Sequence, residues 1–254
     1  MKKQLNTSLI LLGFICSIFH LNCSDVPTEP GKVGKISVDR SFQAEDPFYH
    51  EFPAGNFIEL TVKGVNGDIQ IKQDPDSGPV KISATKRVKS SSTADAEANL
   101  KEIKVQTFSD DNRILVETKQ PEDTEGRDYS VDYTIILPQN VNIVVYNENG
   151  DVSFFNTVAD IMVVTGNGDI NGRVYLPHNG SIVMQTDCGS IDLEIPQNVS
   201  AQFYGSTKVG KINLNNFHLN NSTQCDGVLE GICGDGDGTI DLATITGNIQ
   251  VTGF

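Results

Sequence analysis

Two stretches of the chain, ADIMVVTGNGDI at residues 159–170 and GSIVMQTDCGSI at residues 180–191, carry one and the same pattern. In both, apolar residues stand seven and five positions before a glycine, a threonine stands three before it, and an isoleucine stands two after it. The pattern recurs around Gly150, Gly210 and Gly247, and more loosely around Gly67. A repeat of this regularity decides the architecture of the chain and says little about its chemistry.

Each repeat unit predicts a strand, a corner and a second strand. Apolar positions alternate on both sides of the reference glycine, which is the period of a half-buried strand and not of a helix. The glycine supplies the backbone freedom that a corner requires. The apolar positions before the glycine hold Leu60, Ile143, Ile161, Ile182, Phe203 and Ile240, then Val62, Val145, Val163, Met184, Gly205 and Leu242; those after it hold Ile69, Val152, Ile170, Ile191, Ile212 and Ile249.

The spacing of the units predicts how they assemble. The reference glycines lie at positions 150, 168, 189 and 210, and the next follows at 247. A period of about 20 residues is typical of solenoids, in which each coil buries its apolar columns by stacking on its neighbours. A hairpin meander would not keep glycine and aliphatic positions in phase over five units. We therefore expect an all-β, single-chain parallel β-solenoid in which Ile161 lies beside Ile182.

Stacking also predicts polar columns along the corners. Thr165, Thr186, Thr207 and Thr244 share one position, and we expect them to bond neighbouring backbone rather than to form a binding surface. Aspartates follow the glycine in Asn-Gly-Asp stretches, where turn chemistry accounts for them. The column after the glycine holds Asp68, Asp151, Asp169, Ser190, Lys211 and Asn248.

Residues 1–23 have the character of an export leader. Lys2 and Lys3 precede an apolar run at residues 9–19, which is too short to span a bilayer. Cys23 follows at once, and residues 24–32 read as a tether before a domain at 33–254. This arrangement resembles a bacterial lipoprotein signal, although His20 and Asn22 depart from its usual pattern. We expect lipidation at Cys23 and attachment to a bacterial membrane; the alternative is cleavage and release into the periplasm or medium.

The charge of the chain restricts its partners. The formal net charge is -14, and the leader contributes two lysines and no acidic residue, so that the remainder is more acidic still. Such a surface is unfavourable for nucleic acid, and no nucleic-acid partner is expected. An envelope or extracellular partner, protein or glycan, is consistent with this charge, and no cofactor is predicted.

Several segments depart from the repeat. Ser91-Ser92-Thr93 predicts the start of one short capping helix within residues 90–104. Residues 39–56 read as a polar loop with Phe48, Tyr49 and Phe52, whose rings we expect to plug the first open coil. The last strand, at residues 248–253, has nothing after it to cover its edge, which predicts self-association through that strand.

An insertion at residues 215–236 separates the last two units. It holds Cys225 and Cys233, which could close a small disulfide loop in an oxidising compartment. It ends in Gly-Asp-Gly-Asp-Gly at 234–238, which makes Asp235, Asp237 and Asp241 weak candidates for calcium ligands. The stretch lacks an acid two residues before Asp235 and a closing glutamate. The solenoid pattern alone accounts for the residues from Gly238 onward.

These features together resemble the bacterial putative-adhesin family of domains of unknown function. The resemblance covers about residues 55–254 and rests on a strand unit around Gly67, the Ala/Leu helix, the strand ending in IILP at 135–138, the Gly-Asp and Gly-Ser coils, and TIDLATITGNIQV at 239–251. It implies a β-solenoid, often behind a signal peptide. The family has no catalytic motif to carry over.

Two functions remain open on the sequence. The first is a non-enzymatic envelope domain for adhesion or surface assembly, since no Ser–His–Asp or Cys–His order stands out and turn requirements explain the acids. The second is a carbohydrate-binding or polysaccharide-degrading β-helix protein. The second function predicts a groove with aromatic residues beside paired acids.

Overall fold

The structure is a computed structural model and describes residues 40–55, 57–74, 78–110 and 112–254. The predicted leader and tether therefore lie outside the described residues. In chain order the elements are β1 Phe42–Phe52, β2 Glu59–Lys63, β3 Ile69–Asp74, β4 Val80–Ser90, α1 Thr93–Asn99, a 3-10 turn Leu100–Glu102, β5 Lys104–Ser109, β6 Arg113–Lys119, β7 Asp128–Pro138, β8 Asn142–Asn149, β9 Val152–Val158, β10 Ile161–Asn167, β11 Ile170–Tyr175, β12 Ser181–Cys188, β13 Ile191–Ile195, β14 Ala201–Val209, β15 Ile212–Asn215, β16 Asn220–Cys225, β17 Val228–Cys233, β18 Gly238–Thr246 and β19 Ile249–Gly253.

The strands form two sheets, and each repeat unit gives one strand to each. In the described part of the chain, the nine-stranded sheet has the order β1-β4-β7-β3-β9-β11-β13-β19-β15, and the ten-stranded sheet has the order β16-β17-β14-β18-β12-β10-β8-β2-β6-β5. The strands of the repeat pair in parallel, with Ile161 opposite Ile182 and Val163 opposite Met184. The predicted all-β parallel solenoid is confirmed.

The order of the coils in space differs from their order in the chain. β18 lies between β12 and β14, and β19 lies between β13 and β15, with parallel pairing on both sides. The coil of residues 238–253 is thus inserted between the coils of residues 181–195 and 201–215. The prediction that the last strand has an open edge is wrong, because β19 has hydrogen-bonded neighbours on both sides. Among the described strands, β1 and β15 form the edges of its sheet.

The core lies between the two sheets and follows the apolar columns of the repeat. Inward-facing residues such as Ile161, Val163 and Ile170 are almost fully buried. Two glycines in these columns stand beside a large ring. A Cβ at Gly172 would lie 2.6 Å from that of Phe154, and one at Gly205 would lie 3.1 Å from the ring of Phe203. The ring of Phe203 therefore occupies the volume that Gly205 leaves free, whereas Gly172 allows the close approach of the Phe154 Cβ and backbone.

The reference glycines stack on one another along one corner. Gly168 has a φ of 146°, and a Cβ there would lie 2.1 Å from the carbonyl oxygen of Gly150. The corresponding distances are 2.0 Å from Gly189 to Gly168, 2.0 Å from Gly247 to Gly189, and 1.8 Å from Gly210 to Gly247. At Gly150, Gly168, Gly189 and Gly247 the corner thus requires glycine both for a positive φ and for the close approach of the next coil, whereas at Gly210 the close approach alone requires it.

The residue after each glycine links its coil to the next. Its side-chain oxygen accepts a hydrogen bond from the backbone N–H at the same position of the neighbouring coil. These bonds run from Asp151 to Asp68 (2.9 Å), Asp169 to Asp151 (2.8 Å), Ser190 to Asp169 (2.7 Å), Asn248 to Ser190 (3.2 Å) and Lys211 to Asn248 (3.0 Å), donor first. The aspartates thus serve the fold, but through hydrogen bonds between coils and not through the turn chemistry that we predicted from the sequence.

The threonine column bonds backbone, as predicted. The Thr186, Thr244 and Thr207 hydroxyls donate to glycine carbonyl oxygens of the adjacent coil at 3.0, 2.8 and 2.9 Å. Thr165 is the exception, since its buried hydroxyl has no hydrogen-bond partner among the described residues. In the same arrangement, the Thr165 hydroxyl would donate to the carbonyl oxygen of Gly150. That oxygen instead accepts a hydrogen bond from the side chain of Asn147 at 3.2 Å.

Antiparallel strands close both ends of the solenoid. β1, β4 and β7 pair antiparallel at one end of the nine-stranded sheet. The predicted insertion at residues 215–236 contains the hairpin β16–β17, and β17 pairs antiparallel with β14. The prediction of a loop at residues 39–56 is wrong for the described part, because Phe48, Tyr49 and Phe52 lie on β1. Phe52 is buried and Tyr49 is exposed. Pro47 is tolerated there because β1 is an edge strand.

The predicted capping helix is present as α1, which packs against β1 and β4. The Ser92 hydroxyl accepts from the Asp95 N–H at 3.2 Å and caps the helix. Arg127, in the loop before β7, donates to both carboxylate oxygens of Asp95 at 2.7 and 3.0 Å. Hydrogen bonds from Arg127 and Ser90 lower the pKa of Asp95 to about 2. In the described part of the chain no helix has the length and apolar character needed to cross a bilayer.

Candidate functional site

The predicted lipidation site, Cys23, lies outside the described residues, so its assignment stays a prediction. The two cysteines of the insertion are described. Cys225 is an exposed free thiol and Cys233 a buried one. Cys225 lies at the turn of the β16–β17 hairpin, where it pairs with Val228, whereas Cys233 lies at the far end of β17 opposite Ala201. The hairpin register holds the two thiols apart, and the predicted Cys225–Cys233 disulfide is wrong.

The three acids of the weak calcium candidate do not converge. Ser200 organises the first two, because its hydroxyl accepts from the N–H groups of Asp235 and Asp237 at 2.9 and 3.3 Å and donates to the Asp237 carboxylate at 3.0 Å. Asp241 lies further along, on β18, and faces outward between buried neighbours. Among the described residues, no group of three or more His, Cys, Asp or Glu side chains is placed to hold a metal ion.

A depression of about 670 Å³ opens on the outer face of the nine-stranded sheet, across β9, β11 and β13. A β-bulge shapes it. The pairing of β9 with β11 shifts after Phe154–Gly172, so that Phe155 and Asn156 of β9 stand opposite Arg173 alone. Asn156 takes the left-handed conformation, with a φ of 50°. Both bulge residues consequently point outward, which raises an aromatic wall along one side of the depression.

The aromatic wall is Phe155, whose side chain is 44% exposed. The ammonium group of Lys72, on the neighbouring strand β3, lies 5.0 Å from the centre of the Phe155 ring. This cation–π contact fixes the ring on the side away from the depression. The wall is therefore held in place while the depression itself stays open.

The polar groups of the depression come from β11 and β13. Asn171 is in register with Asp192, and Arg173 is in register with Glu194. Arg173 donates from Nε and Nη2 to one oxygen of Glu194, at 2.6 and 2.5 Å. Burial, with a smaller contribution from the charge of Glu194, raises the pKa of Asp192. With Asp169 also lining the depression, three carboxyl groups face one guanidinium group.

Arg173 is fixed from a second side. Its guanidinium group lies 4.6 Å from the centre of the Phe254 ring, and that ring meets Tyr175 edge to face at 5.5 Å. Backbone hydrogen bonds to Ile195 and Gln197 hold Phe254 at 3.1 and 3.2 Å. The inserted coil therefore contributes to the depression, because its end positions the arginine.

The outer face of the ten-stranded sheet has a different character. Val144, Met162 and Val183 stand in one row across β8, β10 and β12, and none of them is fully buried. Asp241 continues the row beside Tyr204, which is 39% exposed. Burial raises the pKa of Asp241. This row is thus mainly apolar, whereas the opposite face carries the polar depression.

We did not predict the depression from the sequence, although the sequence contains a signal of it. Phe154-Phe155-Asn156 breaks the alternation of its coil, and Gly172 replaces the aliphatic residue that Leu193 supplies one coil later. A break in alternation beside a missing side chain marks a bulge. The combination of an aromatic residue with Asp192 and Glu194 has the composition that the carbohydrate alternative predicted.

Comparison with known proteins supports the fold and says less about function. The family model described as Toastrack DUF4097 matches residues 49–252. Among solved structures, a putative cell adhesion protein from Clostridium sporogenes is similar at 13% identity and a TM-score of 0.51, over 84% of this chain and 100% of that one. A putative adhesin from Bacteroides fragilis matches at 10% identity and a TM-score of 0.28, over 82% of this chain and 97% of that one.

The likeness to the Clostridium sporogenes structure concerns the fold alone. The comparison with curated proteins finds no match. The family match spans the whole repeat region, including the helix α1 and the inserted coil. The chain belongs to the Toastrack DUF4097 family.

Proposed function

We propose that the protein is a non-enzymatic interaction domain of the bacterial cell envelope, held at a membrane through a lipid on Cys23, which acts in adhesion or surface assembly. The observation that carries the proposal is the exposure of aromatic side chains on both outer faces of a firmly cross-linked solenoid. Phe155, Tyr146 and Tyr204 are 44%, 41% and 39% exposed. Aromatic residues are enriched where proteins contact partners.

The solenoid supports this role physically. The glycine, aspartate and threonine columns join every coil to the next through hydrogen bonds that involve backbone groups. Outward-facing side chains are not needed for this framework, so that they are available for contacts. The putative cell adhesion protein from Clostridium sporogenes shares this fold, which is consistent with such a role.

The proposed lipid attachment can be tested by labelling cells that produce the protein with radioactive palmitate. The full-length protein should incorporate label, Cys23→Ala should not, and Cys16→Ala, within the apolar run, should behave as the unchanged protein. Protease added to intact cells then reports whether the solenoid is at the outer surface. Equal labelling of the unchanged protein and Cys23→Ala would contradict the anchor.

The adhesive role needs a separate measurement. Cells that produce the protein should attach to surfaces coated with envelope material more than cells that produce Cys23→Ala, which lacks the proposed lipid anchor. Incubation of the purified protein with a panel of polysaccharides should yield no shortened products. Equal attachment of the two cell types would contradict adhesion, and released oligosaccharides would contradict the non-enzymatic assignment.

A further inference from the structure

We infer that the depression across β9, β11 and β13 is a binding site for a glycan chain that lacks carboxylate groups. The inference rests on the proposed function and assigns a ligand class and a place to it. The four residues that carry it are Phe155, Asn171, Arg173 and Asp192.

The shape of the depression fits an extended ligand. It is open, crosses three parallel strands, and has a floor formed by Asn171 and the backbone of Gly172. Small apolar ligands prefer closed, mainly apolar cavities, and this depression is neither closed nor mainly apolar. A sugar chain laid over the strands would keep solvent on its outer side.

The chemistry of the lining matches that of a pyranose. A sugar ring has an apolar face of C–H groups and a rim of hydroxyl groups. Phe155 offers a ring fixed from behind by Lys72 at 5.0 Å, against which the C–H face can stack. The Asn171 amide both donates and accepts, and the Asp192 carboxyl group accepts, so that the two residues can bind neighbouring hydroxyl groups.

The site is already organised without a ligand. The β-bulge at Asn156 fixes the position of Phe155, and Glu194 and Phe254 hold Arg173 from two sides. Neither the Asn171 nor the Asp192 side chain makes a hydrogen bond with the described residues, so both remain available. Binding would therefore require little ordering of side chains, which favours affinity.

Charge selects among glycans. Asp169, Asp192 and Glu194 line the depression with Arg173 as the counter-charge, and Arg173 is already paired with Glu194. The remaining carboxyl groups repel uronic acids. They do not repel neutral sugars, and they attract amino sugars. We therefore expect cellohexaose and chitohexaose to bind, and hexagalacturonate to bind more weakly.

The test measures binding of these three oligosaccharides to the protein purified after export, by titration calorimetry. Phe155→Ala should weaken binding of the preferred oligosaccharide about tenfold, the effect of one lost stacking contact. Phe108→Ala is the matched control, because Phe108 is also an exposed phenylalanine and lies on β5 of the other sheet. It should leave the affinity unchanged. Thermal unfolding of both variants checks that the fold is kept.

A second variant tests the charge selection without touching the stacking ring. Asp192→Lys should reduce the preference against hexagalacturonate, which a merely structural role of Asp192 would not do. If no oligosaccharide binds, or if Phe155→Ala binds as the unchanged protein does, the inference is overturned. The palmitate and attachment experiments are independent of this result, so that failure here leaves the envelope role standing, and failure there leaves the site standing.

Discussion

At the scale of the residue, the corner glycine is the most demanding position in the fold. Its φ lies in the left-handed region, and the next coil approaches it so closely that any Cβ would overlap a backbone carbonyl oxygen. Backbone atoms cannot move aside as the end of a flexible side chain can. Sequence alone identified this glycine from its periodicity, but the contact between coils became visible only in the structure.

Gly168→Ala is expected to destabilise the protein by about 2–4 kcal/mol, from strain at positive φ together with separation of two coils. Gly78→Ala is the control, since a Cβ there would meet nothing within 4 Å. Its effect should stay within about 0.5 kcal/mol. Urea denaturation of both variants measures the difference, and similar midpoints would contradict the role given to the corner.

Tyr133 is a second residue with a measurable contribution. Its hydroxyl group shares a buried hydrogen bond of 2.6 Å with Thr118, which joins β7 to β6 and hence the two sheets. Burial raises the pKa of Tyr133 to about 12. Because the pKa is higher in the folded state, the neutral tyrosine stabilises the fold fully below about pH 10, the unfolded pKa, and this stability is lost as the pH rises through about 12.

Tyr133→Phe should cost about 1–2 kcal/mol at neutral pH, because Thr118 loses its partner. The variant also lacks the ionisable group, so the gap to the unchanged protein should narrow between pH 10 and 12, within the window set by the unfolded and folded pKa values. Denaturation at several pH values measures this, with Tyr146→Phe, an exposed tyrosine, as the control. A constant gap across that range would show that Tyr133 titrates normally.

At the scale of the element, the insertion of β18 and β19 decides which coils are internal. Ile249 and Ile212 occupy the same position of the repeat and are neighbours in register. Ile249 is fully buried because coils cover it on both sides, whereas Ile212, on the edge strand β15, is half-buried. Chain order alone would assign them the opposite environments.

Ile249→Ala is expected to cost about 3–4 kcal/mol and Ile212→Ala about half of that, since the cost of removing methyl groups rises with burial and with the cavity left behind. The residue types are identical, so the comparison is free of differences in side-chain chemistry. Equilibrium denaturation gives both values. A larger loss for Ile212→Ala would indicate that the coils follow one another in chain order.

At the scale of the whole molecule, stability should vary along the solenoid axis. In stacked repeats each coil contacts only its neighbours, so the central coils gain most and the ends least. We expect the slowest amide hydrogen exchange in β10 and β12 and faster exchange in β5 and β16, which are the edges of the ten-stranded sheet. Mass-spectrometric exchange on the intact protein measures this profile, and uniform protection would contradict it.

The parallel stacking of coils could be predicted because the repeat places matching residues such as Ile161 and Ile182 in phase. The helix was predictable from Ser92 and the apolar face of Ala96. Which coils are neighbours could not be predicted from the repeat. By its position in the repeat, Ile240 fits equally well beside Ile182 or beside Phe203, and in the structure it lies beside both. The strand β1 was missed since Pro47 and the polar residues around it are typical of loops.

The candidate site was the least predictable feature. Its aromatic wall depends on one extra residue in β9. This residue shifts the register locally, and a repeat pattern does not reveal such a shift. Its arginine depends on Phe254, which lies far along the chain and reaches the site only because β19 stands beside β13. Contacts created by a change in neighbour order leave no periodic signal.

The position of residues 238–253 also has a consequence for biogenesis. A nascent chain that has emerged as far as β17 holds β12 and β14 without the strand that separates them, so that native pairing in this region must wait for synthesis to proceed. Native pairing of these two coils is therefore completed by a segment that is synthesised after both of them.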